Sequence, residues 1–144
     1  MGKRLDVHYC VLNTLTRRYG PNQTSDLLGV EYRYRVPPDT EFPRLISSID
    51  LFTRFFLAGV GPTEIAVFIV RLDEDGNDFE RVARYRKVLP FDPADEVRDF
   101  VFRLARINLT GTGVYAVRVC RKAKHRWRGN VWKRLWTEYF RVVR

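Results

Sequence analysis

The chain has 144 residues, of which 45% are hydrophobic and 14% are aromatic. That length fits one domain, and that apolar content argues against an intrinsically disordered chain. No apolar run approaches the ~18 residues that a membrane-spanning helix needs, and the basic N-terminus lacks the apolar stretch of a signal peptide. We therefore expect a single cytoplasmic domain, residues 1–144, that does not enter a membrane.

The positive charge is concentrated near the C-terminal end of the sequence. Residues 118–144 hold 10 Lys/Arg and 1 Asp/Glu, a balance of +9, whereas residues 1–117 hold 16 of each. The formal net charge of +9 for the whole chain therefore comes from this last segment. Charge asymmetry of this kind carries information about partners and little about fold.

The first half of the chain is predicted to consist of strands, because short β-branched and aromatic segments alternate with turn residues. The segments are a strand at 7–12, a loop at 13–26, an alternating strand at 27–36 that stops at two prolines, and a strand at 50–57. Helical spacing of Phe52, Phe55 and Phe56 leaves a helix open for the last of these. The aromatic content and the following Gly-x-Gly-Pro favour the strand.

The second half continues with a strand at 63–72 that is apolar on both faces, which indicates a central strand or one covered by a partner. A hairpin turn follows at DEDGND, with Gly76 as the residue of positive φ. The next segments are a strand at 79–89, a short helical turn at 94–100, and an apolar alternation whose phase shifts after Arg106. A bulge or bend would cause that shift.

The stretch NLTGTGVYAVRV, residues 108–119, predicts a tight corner at Gly111 and Gly113 and then a half-buried strand at 114–120. The segment at 131–144 has two interpretations. As a strand it places four side chains on one face: Trp132, Trp136, Phe140 and Val142. As a helix it forms a different stripe: Trp132, Trp136, Tyr139 and Val143. Its β-branched and aromatic content favours the strand. The sequence thus predicts an all-β fold, an antiparallel two-sheet sandwich.

Two patches carry a family resemblance. They read LFTRFFLAGVGPTEIAVFIVRLDEDG, with the order strand, Gly-x-Gly turn, strand and Asp-x-Asp-Gly hairpin, and INLTGTGVYAVRV, followed by a terminal strand. Across roughly residues 45–144 this order is similar to that of a family of bacterial single-domain β-sandwich proteins of uncharacterised function. The resemblance implies immunoglobulin-like packing, with no known activity, cofactor or catalytic residue.

The corner also resembles the tyrosine corner of immunoglobulin-like folds, through Tyr115. In those folds a cysteine follows the tyrosine by two residues, and Val117 stands at that position here. The resemblance therefore implies a Tyr115 hydroxyl that hydrogen-bonds to the backbone upstream, without a disulfide at that place.

The strongest functional feature is the basic segment after the corner. Its residues 121–130, RKAKHRWRGN, are predicted to form a long hairpin tip. Cations suit phosphates, and an exposed tryptophan can stack on an unpaired base. The candidate nucleic-acid-binding residues are Arg118, Arg121, Lys122, Lys124, Arg126, Trp127, Arg128, Lys133 and Arg134. Basic strand faces could extend the patch, at Arg33, Arg35, Arg84 and Arg86. The alternatives are a solvated hairpin whose tryptophans cover the sandwich, or docking on a protein partner or a second copy.

Catalytic and metal-binding interpretations are weaker. His8, Cys10, Cys120 and His125 could form a Cys₂His₂ zinc set or a Cys–His nucleophile, although their spacing matches no standard finger. The hairpin DEDGND lacks the glutamate that an EF-hand loop requires. We therefore expect a non-catalytic binding module without cofactor or metal. It would bind a polyanion, nucleic acid foremost, or else serve as a structural or adaptor protein.

Overall fold

The computed structural model describes residues 3–18, 25–30 and 32–144. These residues form eleven strands and no helix, so none of them belongs to a helix long and apolar enough to cross a membrane. The strands are β1 (Arg4–Arg18), β2 (Ser25–Val30), β3 (Arg33–Arg35), β4 (Arg44–Ile46), β5 (Ile49–Ala58), β6 (Thr63–Leu72), β7 (Asp78–Leu89), β8 (Val97–Leu104), β9 (Ile107–Leu109), β10 (Gly113–His125) and β11 (Gly129–Val143).

Nine of these strands form two sheets that pack against each other. One sheet has the order β2-β1-β5-β8 and the other has the order β3-β11-β10-β6-β7, while β4 and β9 pair separately. All the described pairs are antiparallel except β3 with β11. Both sheets supply the buried core, with Leu12 and Phe55 from the first and Ile69 and Val117 from the second. The predicted all-β sandwich is confirmed, and immunoglobulin-like packing stays a prediction.

Several elements lie where the local sequence pattern predicts them. The segment 63–72 is β6, a central strand between β10 and β7. The segments 50–57 and 131–144, whose sequence patterns also fit a helix, are both strands. Gly76 has φ 83° in the hairpin turn, and the bend after β8 is at Arg106, with φ 57°. Each of these elements is determined by residues close together in sequence, which is why the pattern identifies it.

Other predictions are wrong, because pairing partners distant in sequence decide the outcome. Residues 13–18 extend β1 instead of forming a loop, since they pair with β2; positions 19–24 lie outside the described residues. The predicted strand at 27–36 is two strands, β2 and β3, which belong to different sheets. The predicted helical turn at 94–100 is a turn followed by the start of β8, where Asp92 Oδ1 accepts a hydrogen bond from Ala94 N.

A bulge in β11 changes which side chains share a face. Val119 pairs with Trp136 but Cys120 pairs with Arg134, so Leu135 is an extra residue without a partner on β10. As a result Trp136 packs toward the core, whereas Trp132 lies on the opposite side of the sheet beside Phe68. The prediction that Trp132 shares a face with Trp136, Phe140 and Val142 is therefore wrong, because an added residue reverses the alternation.

The corner before β10 has the predicted tyrosine interaction. The buried Tyr115 hydroxyl donates to Gly111 O at 2.6 Å and accepts from the backbone nitrogens of Thr110 and Gly111, each at 3.2 Å. Gly113 has φ 127°, which favours glycine. A Cβ at Gly111 would lie 2.6 Å from the Arg71 guanidinium, so a larger residue there would force that side chain to shift. That guanidinium donates to the carbonyls of Thr110 and Thr112 and so closes the corner from β6.

Candidate nucleic-acid interface

The basic segment forms the end of the β10–β11 hairpin. The two strands stay paired from Gly113 with Val142 out to His125 with Gly129. Only residues 126–128 form the turn, and Gly129 closes it with φ 69°. The prediction of a hairpin is confirmed, but a long loop at 121–130 is wrong, because cross-strand pairing continues almost to the tip. Since β6 pairs with β10 no further than Arg121, the hairpin end projects past β6 as a two-stranded arm.

The candidate cations divide between the two faces of this hairpin, because side chains alternate along a strand. We call the face of the five-stranded sheet that points away from the four-stranded sheet the outer face. The outer face carries the side chains of Arg118, Lys122, Lys124 and Arg134. The paired residues Arg121 and Lys133 belong to the opposite side. Arg126, Trp127 and Arg128 occupy the turn. The predicted residues thus form an outer-face group and a tip group instead of one patch.

Two of the outer-face cations have acidic partners. Arg118 donates to both carboxylate oxygens of Asp78, at 2.7 and 2.6 Å, and its side chain is only 14% exposed. These hydrogen bonds raise the pKa of Arg118 and lower that of Asp78. Lys122 lies 3.1 Å from Glu64, which also accepts from Arg86. Arg118 and Lys122 therefore have less charge to offer a polyanion than the sequence suggests.

The tryptophans of this region have different environments. Trp127 at the tip is 82% exposed, and the Arg126 guanidinium lies 5.4 Å from its ring centroid. Trp132 is half-buried on the outer face. Its ring and that of Phe68 meet edge to face, with centroids 5.7 Å apart, and the Arg86 guanidinium lies 5.4 Å from the Trp132 ring centroid. Of the two tryptophans, Trp127 therefore presents the larger exposed ring surface.

The outer face holds a depression where β11, β10, β6 and β7 lie side by side. Two short side chains, Cys120 and Val70, belong to its lining. Arg134 is the partner of Cys120 on β11, and Arg81 is the partner of Val70 on β7, so an arginine stands beside each short residue. Phe68 and Arg118 are paired in the row between them.

We call this depression the arginine–aromatic groove. It is an open cavity of about 570 Å³, and its lining includes Phe68, Phe79, Arg81, Arg118, Trp132 and Arg134. The Arg81 guanidinium lies 5.7 Å from the Phe68 centroid, and Phe79 is 62% exposed. The contribution of Phe68, Phe79 and Arg81 was not predicted. Only the pairing of β7, β6, β10 and β11 brings them beside the basic hairpin, although the second apolar face of 63–72 was a signal that something covers it.

The suggested Cys₂His₂ set does not assemble. A register shift between Val7 and Tyr9 makes His8 the extra residue of a bulge, and its ring stacks on Phe56 at 4.3 Å. Cys10 instead faces the interior, 3.3 Å from the Thr53 hydroxyl. The prediction that His8 and Cys10 share a face is therefore wrong. Cys120 lies in the other sheet, both thiols are free, and the His125 side chain lies outside the described part of the chain.

We expect both cysteines to resist thiol reagents in the native protein. Burial raises the pKa of Cys10 from 9.0 to about 12 and also raises that of Cys120, so thiolate, the reactive form, is scarce at about pH 8. A colorimetric thiol assay should detect two thiols in concentrated guanidinium chloride and almost none in buffer. Rapid native labelling that the Cys10→Ala variant abolishes would contradict this expectation.

The raised thiol pKa also predicts how stability changes with pH. The unfolded chain releases the Cys10 proton near pH 9, whereas the folded protein retains it to about pH 12. The contribution of Cys10 is therefore complete below about pH 9 and is lost as pH rises toward 12. The Cys10→Ala variant should show a weaker decline in the free energy of unfolding across that interval.

The chain matches no protein-family model, and no curated protein sequence is detectably similar to it. The resemblance to bacterial single-domain β-sandwich proteins therefore stays a prediction. Among the described residues, histidine, cysteine, aspartate and glutamate form no cluster of three or more suited to a metal ion.

Proposed function

We propose that this protein is a non-catalytic binding module for polyanions, nucleic acid foremost. The observation that carries the proposal is the tip of the β10–β11 arm, where Trp127 is 82% exposed and Arg126 lies against its ring. A tryptophan on a projecting turn exposes its ring to solvent. An unpaired base can stack on such a ring while nearby cations contact the adjacent phosphates.

The charge distribution supports the same proposal. The +9 balance of residues 118–144 lies on the strands and turn that form the arm and the sheet beside it. Arg81, Arg84 and Arg86 of the neighbouring β7 are exposed on or near the outer face, where they extend the basic surface. A positive surface of this kind attracts nucleic acid over a distance, and contact with its phosphates then releases the cations condensed on them.

Salt dependence tests this proposal. Binding of a fluorescent oligonucleotide should weaken linearly on a log–log plot against salt, because each phosphate contact releases counterions. The double variant Arg126→Gln/Arg128→Gln should bind more weakly and show a shallower slope. The matched control is Arg44→Gln/Arg98→Gln, which removes two exposed cations from β4 and β8, outside the five-stranded sheet, and should leave the affinity and the slope nearly unchanged. Binding that is absent at low salt, or that ignores salt, would overturn the proposal.

A second candidate is a structural or adaptor role, favoured by apolar side chains left exposed on β7. This strand is an edge of its sheet, and its Phe79 and Val88 are 62% and 59% exposed. Two register shifts against β6 and several arginines discourage direct strand addition along that edge. A protein partner or second copy would therefore contact the side chains. Sedimentation velocity tests this: reversible dimers lost in Phe79→Ala would support it, and a strict monomer would count against self-association.

A further inference from the structure

We propose that the arginine–aromatic groove binds the unpaired bases of a single strand, which makes single-stranded nucleic acid the ligand class. This inference rests on the proposed function and adds a second contact region to the tip. Three rings border the groove, those of Phe68, Phe79 and Trp132. A sheet face that presents aromatic rings among cations is a common means of holding splayed bases.

The rings are held so that part of each can meet a ligand. Phe79 is 62% exposed even though the Arg71 guanidinium lies 5.3 Å from its centroid. Trp132 and Phe68 meet edge to face, with an interplanar angle of 76°, so the two rings form a corner instead of covering each other. Arg81 lies over Phe68 and adds a guanidinium plane on which a base can also stack.

The charges in the groove separate into a paired and an unpaired set. Arg118 is held by Asp78, and Arg71, beside the groove, lies 3.8 Å from Glu80, so these two cations are largely neutralised. In the described part of the chain Arg81 and Arg134 make no salt bridge, although the charge of Arg134 helps to lower the pKa of Asp78. Two unpaired guanidiniums beside aromatic rings suit a ligand that joins planar rings to phosphates.

The groove and the tip lie on the same hairpin. Trp132 of β11 and Trp127 of the turn are five residues apart, which is at most about 17 Å at the rise of an extended chain. A flexible single strand can follow that path and turn its bases toward the rings at both places. A duplex cannot, because the faces of its bases are stacked on one another, and only its backbone and the base edges in its grooves are exposed to the protein.

Three oligonucleotides of about 10 nucleotides separate base contacts from phosphate contacts: oligothymidine, an abasic strand of the same length, and a duplex. Wild-type protein should bind oligothymidine most tightly. Phe79→Ala should weaken oligothymidine binding about tenfold with an unchanged salt slope, and should leave abasic binding unaltered. Arg134→Gln should weaken both single strands and reduce the salt slope by about 0.7. The control Phe56→Ala, an exposed phenylalanine of the other sheet, should change neither.

The outcomes distinguish this inference from the proposed function. If Phe79→Ala binds oligothymidine as wild type does, or if the abasic strand or duplex binds as tightly, the groove does not hold bases and the inference is overturned. Loss of binding in Arg126→Gln/Arg128→Gln under those conditions would leave the proposed function standing. If wild type binds none of the three probes at low salt, both proposals are overturned.

Discussion

Replacement of Phe55 by alanine is expected to lower the free energy of unfolding by about 3–5 kcal/mol, whereas alanine at the adjacent Phe56 should cost about 1 kcal/mol or less. The two residues have the same side chain and successive positions in β5. Phe55 is fully buried and meets Phe91 edge to face, with the ring centroids 5.1 Å apart. Phe56 is 41% exposed and stacks on His8.

The difference arises from the two faces of β5. Truncation of Phe55 removes apolar contacts between the sheets and leaves a cavity that a well-packed core fills only in part. Truncation of Phe56 exposes little that was buried. Urea denaturation followed by tryptophan fluorescence gives both values. Since domains have only about 5–15 kcal/mol of stability, Phe55→Ala removes a large share of the free energy that keeps the protein folded. Similar losses at the two positions would show that β5 does not have this orientation.

Tyr115→Phe is expected to destabilise the protein by about 1–3 kcal/mol, although it deletes only one oxygen. The phenylalanine would keep the ring, which stacks on Phe140 at 5.1 Å. What it loses is the partner of Gly111 O and of two backbone N–H groups in the corner. Backbone groups buried without a partner carry the full cost of desolvation.

The matched control for the corner is Tyr139→Phe. Tyr139 lies on β11 next to Phe140 and is 52% exposed, so its hydroxyl can bond to water. Its loss should change the free energy of unfolding by less than about 0.5 kcal/mol. Equal effects at the two tyrosines, measured by urea denaturation, would mean that the corner hydrogen bonds contribute nothing beyond those to solvent.

The sequence predicted elements whose determinants are local. An apolar run predicted β6, and a turn motif predicted the turn at Gly76. The position of Tyr115 shortly after two glycines predicted the tyrosine corner. The split of 27–36 into β2 and β3 was missed, because the alternation continues through the point where the chain changes sheets. The strands β4 and β9 have three residues each, too few for a periodic pattern to emerge.

The candidate interface was predictable to a similar degree. Charge and tryptophan content identified the hairpin and the exposed Trp127. The pairing of Arg118 with Asp78 was not predictable, because the two residues are 40 positions apart and meet only through the registers of β10, β6 and β7. The groove depends on the same registers. A residue count can therefore give the charge of a surface but not the fraction of it that remains available.

The bulge at Leu135 makes the position of Trp132 and Arg134 depend on chain length. Deleting that residue would restore a strict alternation and turn both side chains toward the opposite face, if the core half of β11 stayed in register. Changes in length at this position would thus remove the groove in one step, while substitutions would alter it one side chain at a time. Related sequences that keep the outer surface should therefore preserve the spacing between Trp132 and Trp136 more strictly than the residues between them.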